Sequence, residues 1–135
     1  MVVSDTNLST PSIVVTASDL ERLQRVISAQ GGETADMLDA ELERAEVIEP
    51  DQVSRDVVIM NSDVVYEDTT TGARRTVRVV YPEDADPNKG WVSVLAPLGS
   101  ALLGLRVGQE IDWHMPRGMR RLRIVDVPHQ PNRDD

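Results

Sequence analysis

Ser93-Val94-Leu95-Ala96-Pro97-Leu98-Gly99-Ser100-Ala101-Leu102-Leu103-Gly104-Leu105-Arg106-Val107-Gly108 is the stretch whose reading decides the fold. A β-like run meets Pro97, which suits the first position of a helix because it has no N–H to leave unpaired there. A short apolar segment follows, and glycine stops it. The pattern predicts a short helix over Pro97–Leu105 packed against a sheet.

Strand-like patterns surround that helix. On its C-terminal side, Glu110-Ile111-Asp112-Trp113-His114 alternates polar with apolar, Pro116-Arg117-Gly118 reads as a turn, and Arg121 to Val127 alternates again. The tail from Pro128 to Asp135 is expected to fray. On its N-terminal side, Trp91–Leu95 reads as a strand and Pro82–Gly90 as a loop. Val64-Val65-Tyr66 and Thr76–Tyr81 flank a turn at Thr71-Gly72, the signature of a hairpin, and Val57-Val58-Ile59-Met60 is a first strand. Together these predict an antiparallel sheet of about five strands with one helix on it.

The period changes before Pro50. Residues 1–12 are polar and expected to be flexible, and Ile13-Val14-Val15 is a short strand. Ser18-Asp19-Leu20-Glu21 has the form of a capping box, followed by Leu20, Leu23 and Ile27 at helical spacing with Val26 beside them. Glu21 and Arg25 are spaced for an i,i+4 pair. Gly31-Gly32 breaks this helix, and a second runs to about Glu46 with Leu38, Leu42 and Ala45 on one face, closed by Pro50. The reading is an α+β chain. A strand and short antiparallel helical hairpin occupy 13–49, a sheet domain with one packed helix occupies 50–131, and 132–135 form a tail.

Composition narrows the function classes. At 135 residues, one domain plus a small appendage is expected. With no cysteine there is no disulfide framework, thiolate nucleophile or Cys-ligated zinc. No apolar run approaches the roughly 20 residues of a membrane span, and Met1-Val2-Val3-Ser4-Asp5 lacks the basic region of a signal peptide. The expected location is the cytoplasm. The net charge is −9, and residues 18–49 carry nine carboxylates against three arginines. An acidic appendage argues against nucleic-acid binding, which needs a basic footprint. It fits docking on a basic protein surface or a simple solubilising face.

Side chains that could carry chemistry are few. His114 and His129 have no second His or Cys at ligand spacing. There is no phosphate-binding loop, and Gly99, Gly104 and Gly108 are wrongly spaced for a dinucleotide fingerprint. Arg117, Arg120, Arg121 and Arg123 fit either anion recognition or the charged face of an edge strand. Trp91 and Trp113 are expected in the core. The sharper signal is acidic: Glu33 and Asp36 share the first turn of the second helix, with Asp39 a turn further on. On a protruding tip such carboxylates can meet a basic partner, or help hold a divalent cation shared with a partner's acids. Acids in a helix's first turn are also favoured by its macrodipole. No cofactor and no resident metal are expected.

At Ala96–Glu110 the chain resembles the C-terminal signature of the bacterial GreA/GreB transcription factors, and Tyr81–Asp86 and Trp91–Val94 resemble the stretch preceding it there. Ala40–Ala45, Asp56–Ser62 and Leu102–Gly108 are similar to the short-hairpin Rnk branch of that family. The resemblance covers about residues 13–131. It implies an FKBP-like C-terminal domain, RNA polymerase as partner, and docking near the polymerase's secondary channel in competition with Gre factors. Glu33, Asp36 and Asp39 would then be partner-binding residues. In Gre proteins, tip acids assist cleavage of backtracked transcripts by the polymerase's own metal centre. Their tip places Asp first and Glu three residues later, whereas Glu33 precedes Asp36 here and the hairpin is much shorter. The Rnk branch implies polymerase binding without cleavage, so the chain itself is expected not to be an enzyme. Prolyl isomerisation, associated with the FKBP-like fold, uses an aromatic-lined pocket, and this chain has no Phe and only Tyr66, Tyr81, Trp91 and Trp113.

Overall fold

A computed structural model describes residues 13–115 and 118–131. Strand β1 (Val14–Thr16) is buried throughout and runs directly into helix α1 (Ala17–Gln30). Thr16 is the cap: its Oγ1 accepts the Asp19 N–H at 3.1 Å. The helix therefore starts before the expected Ser18 box, because the extended end of β1 already places a hydroxyl at the first turn. Gly31, at φ 65°, ends α1 by donating its N–H to the Ile27 carbonyl at 3.0 Å. The expected Glu21–Arg25 pair is not formed; Arg25 makes no ion pair among the described residues, in keeping with the small gain from exposed pairs.

Helix α2 (Glu33–Glu43) is shorter than expected. Residues Glu46–Ile48, assigned in part to that helix from sequence, form β2, which pairs in parallel with β1 through Val14↔Glu46, Val15↔Val47 and Thr16↔Ile48. A parallel pair needs a crossover connection, and the helical hairpin is that crossover. Pro50 accordingly does not close a helix; it opens a 3-10 turn, Pro50–Gln52.

The second sheet has the order β5-β4-β3-β7-β6. Strands β3 (Asp63–Asp68) and β4 (Arg74–Val80) form the expected antiparallel hairpin. Strand β7 (Gly118–His129) is antiparallel to both β3 and β6 (Glu110–Met115). Strand β5 (Trp91–Ser93) runs parallel to β4, so the sheet is mixed rather than wholly antiparallel. Two 3-10 turns, Pro82–Asp84 and Pro87–Lys89, return the chain along β4 before it re-enters the sheet. Helix α3 (Pro97–Leu102) follows, as the opening stretch predicts, ending three residues early.

Three further expectations change. Val57–Met60 is buried but makes no strand; Val57 forms a single bridge to Arg106. Its partner is the loop after α3, which is too short for a ladder. The tail is held through Gln130, which is buried and donates from Nε2 to the carbonyls of Ser54 and Val57, both at 2.8 Å. Trp113 packs on the core, whereas Trp91 is only half-buried and lies under Arg78 and Lys89, 4.9 and 4.6 Å from its ring centre. The expectations for residues 1–12, the 116–117 turn and the 132–135 tail lie outside the described residues.

One apolar core serves both sheets. Leu23 and Leu38 of the hairpin are fully buried in the same cluster as Val79 and Ile124 of the large sheet and Leu102 of α3. The hairpin is thus part of the common core and not the small appendage expected. The loop after α3 joins the parts: Val14 donates to the Gly104 carbonyl at 3.1 Å, Gly104 donates to Val58 and Val58 to Leu105, both at 2.8 Å. Gly104 sits at φ 83°, and a Cβ there would overlap Ile13. A Cβ on Gly99 would overlap the Ser93 carbonyl, so α3 can lie on β5 only with glycine there.

A polar latch holds α1 to the sheet domain. Asp19 accepts the Met60 N–H at 3.3 Å and the Tyr81 hydroxyl at 3.2 Å. Arg22 lies flat on the Tyr81 ring, 3.8 Å from its centre, and pairs with Glu83 at 3.4 Å. Burial raises the Asp19 carboxyl above its ordinary value, outweighing the hydrogen bonds and the Arg22 charge that pull it down. Burial, with the Asp19 charge beside it, also pushes the Tyr81 phenol up.

Two expectations follow from this packing. Gly104→Ala should cost about 2–4 kcal/mol, combining overlap with left-handed strain. Gly108→Ala, at φ 95° in open space, should cost only about 1 kcal/mol; urea midpoints at unchanged m-value measure both, and equal costs would contradict the packing at Gly104. Asp19→Ala should cost about 2 kcal/mol by orphaning the Met60 N–H and the Tyr81 hydroxyl, and Asp19→Asn, which keeps an acceptor, should cost less. Because the folded state binds the Asp19 proton more tightly than the unfolded chain, wild type should lose stability relative to Asp19→Asn as pH rises above about 4. That stability difference, followed by urea melts across pH, should level off once the folded-state carboxyl is ionised.

Candidate functional site

The hairpin tip is built by two glycines whose positive φ values, 65° and 104°, an L side chain rarely adopts. Gly32 caps α2 with no side-chain hydrogen bond, and its carbonyl accepts the Asp36 N–H at 2.9 Å. Ala35, Leu38 and Leu42 face the core. That spacing turns Glu33 and Asp36 outward, both exposed in the first turn, with Asp39 half-buried a turn further along. Met37, 63% exposed, stands beside Asp36.

Glu33 and Asp36 are exposed on the outer side of α2, whereas Asp39 is half-buried at the flank of its core-facing side, and none of the three makes an ion pair among the described residues. Nor do any three carboxylate or histidine side chains among the described residues lie close enough to hold a metal ion. The tip therefore presents unneutralised negative charge at the positive end of the α2 dipole. Negative charge so placed is suited to electrostatic recognition of a cationic surface.

The arginines of β7 do not form a comparable cationic site. Arg120 pairs with Asp68, Arg121 with Glu110 at 3.3 Å and Asp112 at 3.1 Å, and Arg123 with Glu67 at 3.2 Å. Arg74 also reaches Glu67, at 3.0 Å, and Arg78 pairs with Asp63 at 2.8 Å. Arg74, followed by Arg123, holds the Glu67 carboxyl below its ordinary value; Arg120, with the Thr70 N–H, does the same for Asp68. The cluster is the cross-strand ladder of a solvated sheet face; β7 lies between β3 and β6, so these arginines stand on an inner strand and not on the expected edge strand. Arg117 lies outside the described residues. His129 lies near the end of β7, and His114 on β6.

Sequence reasoning did not single out the Asp19–Tyr81–Arg22 latch at the root of the hairpin. Asp19 and Tyr81 are 62 positions apart and each had a local explanation, one in a cap and one at a strand end. The available signal was the scarcity of aromatics: a Tyr ending a strand in a chain with only two Tyr needs a buried partner for its hydroxyl.

Comparison with known proteins agrees with this architecture. Residues 52–129 match the family model "Transcription elongation factor, GreA/GreB, C-term", and residues 11–48 match "Rnk N-terminus". The chain is 38% identical over 128 residues to the regulator of nucleoside diphosphate kinase of Escherichia coli K12, covering 92% of this chain and 94% of that one. It is 39% identical over 82 residues to the transcription elongation factor GreA of Syntrophobacter fumaroxidans, covering 61% of this chain but only 53% of that one. Among solved structures, a GreA/GreB transcription elongation factor from Nitrosomonas europaea superposes with a TM-score of 0.77 at 40% identity, over 89% of this chain and all of that one. No helix among the described residues is long and apolar enough to cross a membrane. With a strand–hairpin–strand unit of the Rnk type in front of a matching C-terminal domain, the chain belongs to the GreA/GreB family of transcription elongation factors.

Proposed function

We propose that this protein is a transcription regulator that docks on bacterial RNA polymerase near the secondary channel and competes there with Gre factors without stimulating transcript cleavage. The observation that carries the proposal is the seating of the hairpin. Its arms have 14 and 11 residues, so at 1.5 Å per residue they are about 21 and 17 Å long. Leu23, Leu38 and Leu42 bury much of that length in the core shared with the sheet domain, and Val26 and Ile27 pack on it as well. Only about a turn beyond Ile27 projects freely. Such a stub supports occupation of a channel mouth, with Glu33, Asp36 and Asp39 against basic residues of the polymerase. It does not support delivery of carboxylates to a distant metal centre. The Escherichia coli relative is named as a regulator, and the proposal extends a regulatory role to this chain.

A second reading rests on Glu33 and Asp36 making no ion pair among the described residues. Free carboxylates at a hairpin end are what a cleavage-stimulating factor needs, so the alternative is a Gre-like factor acting through those tip acids.

Competition with a Gre factor for core polymerase, combined with a transcript assay on stalled elongation complexes, tests both readings. The protein should displace the Gre factor, and Glu33→Arg with Asp36→Arg should weaken that competition by about tenfold or more. Transcripts should keep their length. Mg²⁺-dependent shortening that disappears when Glu33 and Asp36 are removed would establish the second reading instead.

A further inference from the structure

A cleft of about 560 Å³ lies between α1 and the Pro82–Asp84 turn, running along the flank of the hairpin from Arg22 to Gln30. Arg22, Arg25, Val26, Ala29 and Gln30 of α1 line one side, and Pro82 and Glu83 the other. Residues 18–49 contain only three basic side chains against nine acids. One of them, Arg44, is held by Glu41 at 2.6 Å. The other two both face this cleft, so the positive charge left over in an acidic unit is gathered at one place.

The two guanidiniums are differently prepared. Arg22 is laid flat on the Tyr81 ring, which is buried and anchored through its hydroxyl to Asp19. That stacking orients the guanidinium before any ligand arrives. Its one ion pair, to Glu83, is long at 3.4 Å and exposed on both sides, a contact worth little and readily exchanged. Arg25, one turn on, is exposed and makes no hydrogen bond or ion pair among the described residues. Between them Val26 and Ala29 of α1 and Pro82 opposite supply apolar surface.

We propose that this cleft receives an acidic segment of the polymerase, with a carboxylate on Arg22 and Arg25 and an apolar neighbour against Val26, Ala29 and Pro82. The charge balance selects carboxylate over phosphate. Glu83 stays in the cleft, and the surrounding unit is strongly negative, so a multiply charged phosphate or a nucleic-acid backbone is repelled where a single carboxylate is accepted. The α2 end of the tip and the α1 flank of the hairpin then carry opposite charges, and a partner that satisfies both must present a basic and an acidic patch. This sets the orientation of the hairpin on the partner, which neither patch alone can do.

The inference rests on the polymerase-binding reading, and the test separates the two. Binding of full-length protein to core polymerase is measured for wild type, Arg25→Glu and Arg25→Lys, each with a thermal melt. Arg25→Glu should weaken binding at least tenfold with little change in melting temperature, since Arg25 makes no hydrogen bond or ion pair among the described residues, and Arg25→Lys should fall between. Wild type that fails to bind removes both readings. Wild type that binds while Arg25→Glu binds equally well removes this one alone. A parallel titration with inorganic phosphate and a short single-stranded RNA should show no binding; binding of either that is lost in Arg25→Glu would replace the acidic protein segment with a phosphate ligand.

Discussion

The structure depends on the close approach of two chain segments at Gly104. Its carbonyl takes the N–H of Val14 and its own N–H goes to Val58, so the loop after α3 is clamped between the first strand and the 57–60 segment. Ile13 occupies the space a side chain on Gly104 would need. Leu103 and Leu105 on either side are buried. With that seam closed, β1 is pinned to the sheet domain, β2 is pinned to β1, and the helical hairpin between them has both ends fixed. Leu23 and Leu38 then fall into the core of the larger sheet. At about 25 cal/mol per Å² of apolar surface, the contacts of these buried leucines outweigh any single polar contact at the hairpin's root.

This seating bears on the proposed docking. A helical hairpin standing free on a flexible joint would sample many directions and lose entropy on docking. Here the tip acids are held in one direction by the core, by the Asp19 latch and by the parallel β1–β2 pair. The latch adds specificity more than strength: one carboxylate serves a backbone N–H and a buried phenol that would otherwise lack a partner. The same fixed root orients Arg22 on the Tyr81 ring.

Where local pattern and tertiary structure agree, the sequence was readable. The Gly31-Gly32 break needs positive φ and shows itself as a pair of glycines. The β3–β4 hairpin follows from alternation around Gly72, and α3 from Pro97. What was not readable was decided by distant partners. Glu46–Ile48 is a strand because β1 lies beside it, and nothing local says so. Val57–Met60 has strand composition, but its hydrogen bonds scatter: Val58 bonds to the loop after α3, Met60 donates to Asp19 and the Val57 carbonyl accepts from Gln130. The direction of β5 was set by the turns at Pro82 and Pro87, whose geometry composition does not reveal. Gln130 looked like tail and is a buried donor to two carbonyls. At the candidate site, the exposure of Glu33 and Asp36 could be read from helical spacing. The shortness of the free tip could not, because it depends on how much of each arm the core covers.

Native-state hydrogen exchange tests most directly whether hairpin and sheet form one unit. If they share a core closed at Gly104, the amides of Leu38 and Leu42 should exchange only through the same global opening as those of Val79 and Ile124, with equal free energies and equal denaturant dependence. Exchange of the hairpin amides through a cheaper opening, while the sheet stays protected, would contradict the account.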